Sequence, residues 1–265
     1  MNEKKPPLWL RLSALLVYIY IYIPILVLIV FSFNSQKLNI RWEGFTMHWY
    51  EVLIHDANVL SALENTLIIA LVSTLAATVI GTMAALALQR YRFPGYLLTE
   101  SALYIPVIIP EVVMGISLLA FFSLIKFTLG LTTIMLAHIA FCVPFVTLVV
   151  RARLHGFDKS IEEAAMDLGA NEVTTFWRIT LPTILPGVLS GALLAFTLSL
   201  DDYVITYFTA GPGSTTLPLR VFSMVRFAVT PEINALSTLW ILTIFIVLLI
   251  GQIVQRRQQM PTRGQ

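Results

Sequence analysis

Charge is what this sequence has least of: 12% of its 265 residues are Asp, Glu, Lys or Arg, about half of the roughly 25% usual in soluble domains. That argues against a water-soluble globule. Cysteine is nearly absent. Cys142 is the single thiol and lies inside an apolar run, so neither a disulfide framework nor a cysteine-rich metal cluster can form, and it reads as a small buried apolar residue. The net charge of +2 is too small for a nucleic-acid footprint, so no nucleic-acid partner is expected. HExxH, GxSxG and GxxxxGK(S/T) are all missing. Zinc hydrolysis, an elbow serine and nucleotide binding by this chain therefore have no motif to rest on, and no catalytic residue, metal or cofactor is expected. His138 and His155 stand isolated and read as hydrogen-bonded structure, without a functional role.

What the chain has in quantity is long apolar runs: 57% of residues are hydrophobic and the mean hydropathy is +0.82. Runs near 20 residues place spanning helices at about 12–33, 62–88, 101–125, 131–151, 183–209 and 233–254. Backbone amides in lipid must pair within their own segment, and the runs do not alternate, so helices rather than a barrel are expected. The first run is too long for a signal-peptide core and SFNSQ offers no small-x-small cleavage pattern, so it reads as a retained helix. With both termini inside, 12 of the 17 Lys and Arg are cytoplasmic, and Arg90, Arg92, Arg151 and Arg153 flank span ends. This satisfies the positive-inside rule for six spans in one transmembrane domain over 1–265.

Three connections are long enough to act. The outer loop 34–60 carries Trp42, Trp49 and Tyr50, which suit the headgroup layer, and a short helix capped by Thr46. The outer loop 211–232 opens on GPGSTT, turns amphipathic (LPLRVFSMVRFAV), and ends where Thr230-Pro231-Glu232 starts the last helix. The inner loop 152–182 reads as two short helices. Ser160 to Glu163 form a capping box, and Ile161, Ala164, Ala165 and Leu168 recur on one apolar face of a helix too short to stand alone. Gly169 ends it, Asn171 caps a second helix and Pro182 opens the next span. A hairpin lying on the lipid surface is one reading. Asp158, Glu162, Glu163, Asp167 and Glu172 outnumber Lys159 and Arg178 here, which an anionic leaflet would repel, so a groove in a soluble protein is favoured.

Glu163-Ala164-Ala165, three residues, Gly169, nine residues, Ile179, one residue, Leu181-Pro182 resembles the EAA motif of the membrane subunits of ATP-binding cassette (ABC) importers. The resemblance implies an all-α polytopic membrane protein with the type I ABC importer (MetI-like) permease fold, six spans and a cytoplasmic coupling helix. It also implies that Ile161, Glu163, Ala164, Ala165, Leu168, Gly169, Ile179, Leu181 and Pro182 belong to the segment that couples to an ATPase. YIPILVLIVFSFNS, AAMDLGA, FTLSLDDYVITYFTAGP and TPEINAL resemble the second permease of bacterial spermidine/putrescine importers. The implied partners are a second homologous permease, a cytoplasmic ATPase dimer, a periplasmic or extracellular polyamine-binding protein and the lipid bilayer, in the bacterial inner membrane.

Three carboxylates fall inside the spans: Glu111, Asp201 and Asp202. Each costs about 2.5–3.5 kcal/mol at a helix centre, so each should face a cavity or a partner helix. Asp201 and Asp202 lie about 8 residues, or roughly 12 Å, from the outer end of their helix. Adjacent helical residues diverge by about 100°, so one should address a pathway while the other caps, pairs or meets a second subunit. Glu111 follows Pro106 and Pro110, which should kink the third span and free carbonyls near Ala102 and Pro106 to receive an ammonium group. A gating hinge paired with another subunit is the alternative. Tyr104, Tyr203 and Tyr207 either add cation–π faces or simply pack. Acidic groups on a neutral wall point to a cationic solute, a polyamine by the resemblance, with another cation as the alternative. The small-xxx-small pattern Gly187 to Gly191 suits either a subunit interface or packing within the chain. An ion-coupled secondary transporter would not need the hairpin and no inverted repeat is visible. Ser117 or Ser199 with His138 is not a persuasive hydrolase pairing.

Overall fold

The computed structural model describes residues 7–37, 39–226 and 229–259, with 254–259 described by backbone alone. It divides into two compact units, one of Met1–Leu60 with Val221–Thr243, the other of Ser61–Arg220 with Ile244–Gln265.

In the first unit, α1 (Leu8–Phe31) has 24 residues and not one is buried. At about 1.5 Å per residue it is some 36 Å long, enough to cross a bilayer, and an apolar surface on all sides belongs in lipid or against another subunit. Its end is tied into the following loop. Asn34 pairs with Phe45 in an isolated antiparallel bridge; the Asn34 side chain accepts from the Glu43 amide at 3.0 Å and donates to the Arg41 carbonyl at 2.8 Å. Trp49 donates its indole N–H to the Asn34 carbonyl at 2.8 Å, and the Tyr50 hydroxyl lies 2.6 Å from Ser32 Oγ. The short helix expected in this loop is α2 (His48–His55). Its cap position is Met47, not Thr46, although the Thr46 hydroxyl accepts from the His48 amide at 3.1 Å.

The second unit takes most of α3 (Ala57–Arg90), then α4 (Tyr96–Ile108), α5 (Glu111–Leu124), α6 (Leu131–Leu154), α7 (Ser160–Asp167) and α8 (Glu172–Thr175). A π-helical turn (Phe176–Thr180) leads into α9 (Leu181–Asp201), followed by α10 (Val204–Thr209). The helices α11 (Leu217–Val225) and α12 (Pro231–Gln259) straddle the two units. The last helix starts at Pro231, as the sequence predicts. The amphipathic stretch before it runs into residues 227–228, which lie outside the described residues.

The core is organised on α6. Phe141, Cys142, Val146 and Val150 are buried on it, against Ala77 and Ala85 of α3 and Ile184, Val188 and Ala195 of α9. Glycine sets the α6–α9 spacing. A Cβ on Gly187 would fall 2.7 Å from Cβ of Arg153, and one on Gly191 would fall 3.2 Å from Cγ1 of Val146. Of the two readings of Gly187 and Gly191, both glycines serve packing within the chain.

Two of the expected spans are not single rods. The run 101–125 is α4 and α5, bent by 114°, because Pro110 lacks the amide that would close on the Pro106 carbonyl, and Ile109 and Pro110 turn extended instead. Among the described residues, five helices are individually long and apolar enough to span, and the bent pair makes six if taken as one. The run 183–209 starts earlier, as a continuous helix from Glu172, and stops at Asp201. Asp202 adopts ψ 125° before α10 begins.

The hairpin forms, with one change at its start. Ser160 is not the cap of a capping box: it is the first residue of α7, and its amide donates to Asp158 Oδ1 at 3.0 Å. A carboxylate two residues upstream is the stronger acceptor and closes an Asx turn first. The Ser160 amide, then its hydroxyl, hold the exposed Asp158 carboxyl below the usual carboxylate range. Gly169 has φ +92°, the left-handed position that ends α7. Asn171 caps α8, its side chain accepting from the Thr174 amide at 2.8 Å.

Candidate functional site

The break after α9 follows from a buried set of polar groups. Asp202 Oδ2 accepts from the Thr206 amide at 2.8 Å and the Thr206 hydroxyl at 2.7 Å, and Oδ1 accepts from the Ile205 amide at 3.3 Å. The carboxylate thus satisfies donors at the first turn of α10, which the break would otherwise leave open in an apolar interior. His138 of α6 closes the set from the other side. Its Nε2 lies 3.0 Å from Thr206 Oγ1 and 3.3 Å from Asp202 Oδ2, and its Nδ1 lies 2.7 Å from Ser199 Oγ. The far end of α10 is held by Thr133, whose hydroxyl donates to the Thr209 carbonyl at 2.7 Å.

Because Asp202 turns inward, its neighbour turns outward: Asp201 is exposed and Asp202 is 8% exposed. Glu111, also exposed, occupies the first turn of α5, where the positive helix end favours a carboxylate. It lies within Coulombic range of both aspartates. The approach depends on Gly115, whose Cβ, if present, would fall 2.6 Å from Cδ2 of Phe208 on α10. Tyr203 and Tyr207 stand beside Asp201 and Asp202 in the chain with ring centroids 5.7 Å apart, and Tyr207 is 53% exposed. The structure therefore brings Glu111, Asp201 and Asp202 into one field and pairs the two tyrosines. Tyr104 belongs to a different cluster. Its hydroxyl accepts from Arg151 at 3.2 Å, and Arg151 also donates to Glu100 at 2.5 Å and to the Tyr96 hydroxyl at 3.1 Å, at the end of α6 that carries the hairpin.

His138 is the residue that sequence reasoning left without a role. The signal was present on its partners: Ser199, Asp202 and Thr206 stand at i, i+3 and i+7, a polar stripe on an apolar run, and such a stripe needs a polar group opposite. Ser199, His138 and Asp202 also stand in the contact order of a serine-hydrolase triad. With Ser199 at 3% exposure, substrate has no approach to its hydroxyl, and the set acts as a lock on the helix break.

The hairpin residues divide in two. Ile161, Glu163, Ala164, Leu168 and Gly169 are exposed, with Leu168 91% exposed, and Ala165 is half-buried. Ile179 and Leu181 are half-buried where the π turn enters α9, Leu181 packs against the core, and Pro182 is exposed. Glu162 is the one buried residue of α7.

A helical membrane bundle with carboxylates at a broken span and an uncovered apolar face on an amphipathic hairpin has the architecture of a membrane transport component. The comparisons with known proteins identify which. Residues 77–260 match the family of binding-protein-dependent transport system inner membrane components. The chain is 43% identical over 226 residues to the spermidine/putrescine transport system permease protein PotC of Haemophilus influenzae, covering 85% of this chain and 88% of that one. It is 44% identical over 238 residues to the putrescine transport system permease protein PotI of Escherichia coli, covering 87% and 85%. Among solved structures, a bacterial ABC transporter involved in alginate import shares the fold with a TM-score of 0.75 at 18% identity, covering 95% of this chain and 96% of that one. The MetNI methionine ABC transporter in an inward-facing conformation shares it at 0.65 and 17%, covering 82% and 100%. The chain belongs to the family of inner membrane permease components of binding-protein-dependent ABC importers. It is a transport subunit and not an enzyme.

Proposed function

We propose that this chain is one of two permease subunits of an importer that carries polyamines, putrescine or spermidine, into a bacterial cell. ATP is hydrolysed on a separate pair of cassette ATPases and the solute is delivered by a periplasmic binding protein. The observation that carries the reading is a pair of exposed carboxylates, Asp201 and Glu111, with the paired rings of Tyr203 and Tyr207 following Asp201 in the chain. An ammonium group finds there two carboxylates and aromatic faces, which a neutral or anionic solute would not need. The permeases named above for spermidine/putrescine and putrescine support the same class of cargo at 43% and 44% identity.

Mechanically, the exposed face of Ile161, Glu163, Ala164 and Leu168 docks in a groove of the ATPase below, with both termini of the chain on that side. Closure of the ATPase pair moves the hairpin, the spans rock between outward and inward openings, and the amine passes Asp201 and then Glu111. Another cationic solute is the second reading, because two carboxylates fix the sign of the cargo and not its length. Substrate-stimulated ATP hydrolysis by the reconstituted complex decides between them, measured against diamines, triamines, other cations and neutral solutes. Stimulation by putrescine or spermidine is expected. Stimulation by a neutral or acidic solute, with none by amines, overturns the reading.

A further inference from the structure

We propose that Glu162 is a positioning residue that transmits displacement of α7 to two membrane helices at once, through Arg90 and Thr180. The proposal rests on the reading above that an ATPase moves this hairpin, and it names the link by which that movement enters the bundle.

The eight residues of α7 are too few to hold a helix in place on their own. The faces of Ile161, Glu163, Ala164 and Leu168 are exposed, so they offer no grip on the bundle. Glu162 points the other way. A buried carboxylate is rare unless it is paired, and here a single oxygen, Oε1, accepts from both Arg90 Nη2 and Thr180 Oγ1. Arg90 Nη2 also reaches Thr180 Oγ1 at 3.4 Å, which closes the triangle. Among the described residues this is the only ion pair made by the hairpin.

The two donors sit at the roots of different spans. Arg90 is the last residue of α3, and Thr180, fully buried, is the last residue of the π turn, directly before α9. A π turn carries an extra residue, which resets the rotation of the segments on either side, and such turns gather at functional sites. Here the turn presents Thr180 to α7 while α8 and α9 continue as one 30-residue helix. Side-chain exposures of 12% for Glu162 and 28% for Arg90 leave the pair weakly screened. Apolar faces can slide over one another, whereas a charge-assisted bond to a fixed fork of donors holds distance and direction. A push or pull on the exposed face of α7 therefore reaches α3 and α9 together, through one carboxylate.

The test uses the assembled importer in proteoliposomes, reading ATPase recovered with the complex, ATP hydrolysis, and amine imported per ATP. With Glu162→Gln, the complex should keep its ATPase and its hydrolysis while import per ATP falls about tenfold, the size of a typical coupling energy between sites. Thr180→Val should give a smaller fall, and the charge swap Glu162→Arg with Arg90→Glu should restore most of the loss. A merely structural role would lower assembly and hydrolysis in step with import. Unchanged import per ATP in Glu162→Gln overturns the proposal, as does loss of the ATPase from that variant, or a swap that imports no better than Glu162→Gln. If the unsubstituted chain recovers no ATPase, the reading of the hairpin itself fails, and the link with it.

Discussion

Asp201 and Asp202 are neighbours of one chemical type, and the structure assigns them opposite consequences when altered. Asp202→Ala removes a carboxylate that takes two amides, a hydroxyl and an imidazole contact, leaving those donors in a dry interior. Buried hydrogen bonds between membrane helices average about 0.6 kcal/mol and reach about 1.7 kcal/mol, and an orphaned donor costs about 1–3 kcal/mol in general. Over these contacts the loss should be about 2–4 kcal/mol. Asp201→Asn touches an exposed group and should change stability by less than about 0.5 kcal/mol. Thermal unfolding of the purified complex in detergent reads the first quantity, and labelled amine uptake normalised to protein reads the second. The expected pattern is a complex that melts early with Asp202→Ala, and one that melts normally but imports poorly with Asp201→Asn. If Asp202→Ala melts as the parent does, or if Asp201→Asn imports at the parent rate, the division of labour across the helix break is refuted.

Gly115→Leu should push α5 away from Phe208 at a cost of about 1–3 kcal/mol and move Glu111 off the aspartates; lower apparent affinity for amine at unchanged expression checks this. Gly169→Val forces a β-branched residue into φ +92°, and at about 1–2 kcal/mol of backbone strain should fray the end of α7, seen as faster amide exchange over 165–170 and weaker recovery of the ATPase. The Asp158 carboxyl is held below its ordinary value of 3.8 by the Ser160 amide. Its contribution is therefore complete above that value and lost as pH falls through the lower, folded value. Protection of the Ser160 amide, its exchange rate relative to the intrinsic rate at each pH, should fall only in that acid window, and Asp158→Asn should weaken the pH dependence.

The apolar runs and the EAA spacing were sufficient to show a helical membrane permease with an amphipathic hairpin between two spans, because burial in lipid and satisfaction of backbone amides leave few alternatives for such runs. Gly169, Asn171 and Pro231 were equally legible, since turn and cap chemistry is local. The start of α7 was not, because the Asp158 carboxylate takes the Ser160 amide that a capping box would give to Glu163. Pro106 and Pro110 announced a disturbance in the third run, but a kink and a 114° reversal have the same sequence signature.

Which of two adjacent carboxylates turns inward was decided by a histidine 64 residues away in the chain, the spacing of Asp202 from His138, and no local pattern encodes such a distance. The same holds for Glu162: its sequence neighbours mark an amphipathic helix of charged and small residues, while its partners Arg90 and Thr180 come from two other helical segments. Composition and periodicity settle what a segment is, since those are properties of contiguous residues in a given solvent. Contacts between segments settle what each buried polar group does, since the cost of leaving it unpaired is met only by whatever the fold brings within about 3 Å.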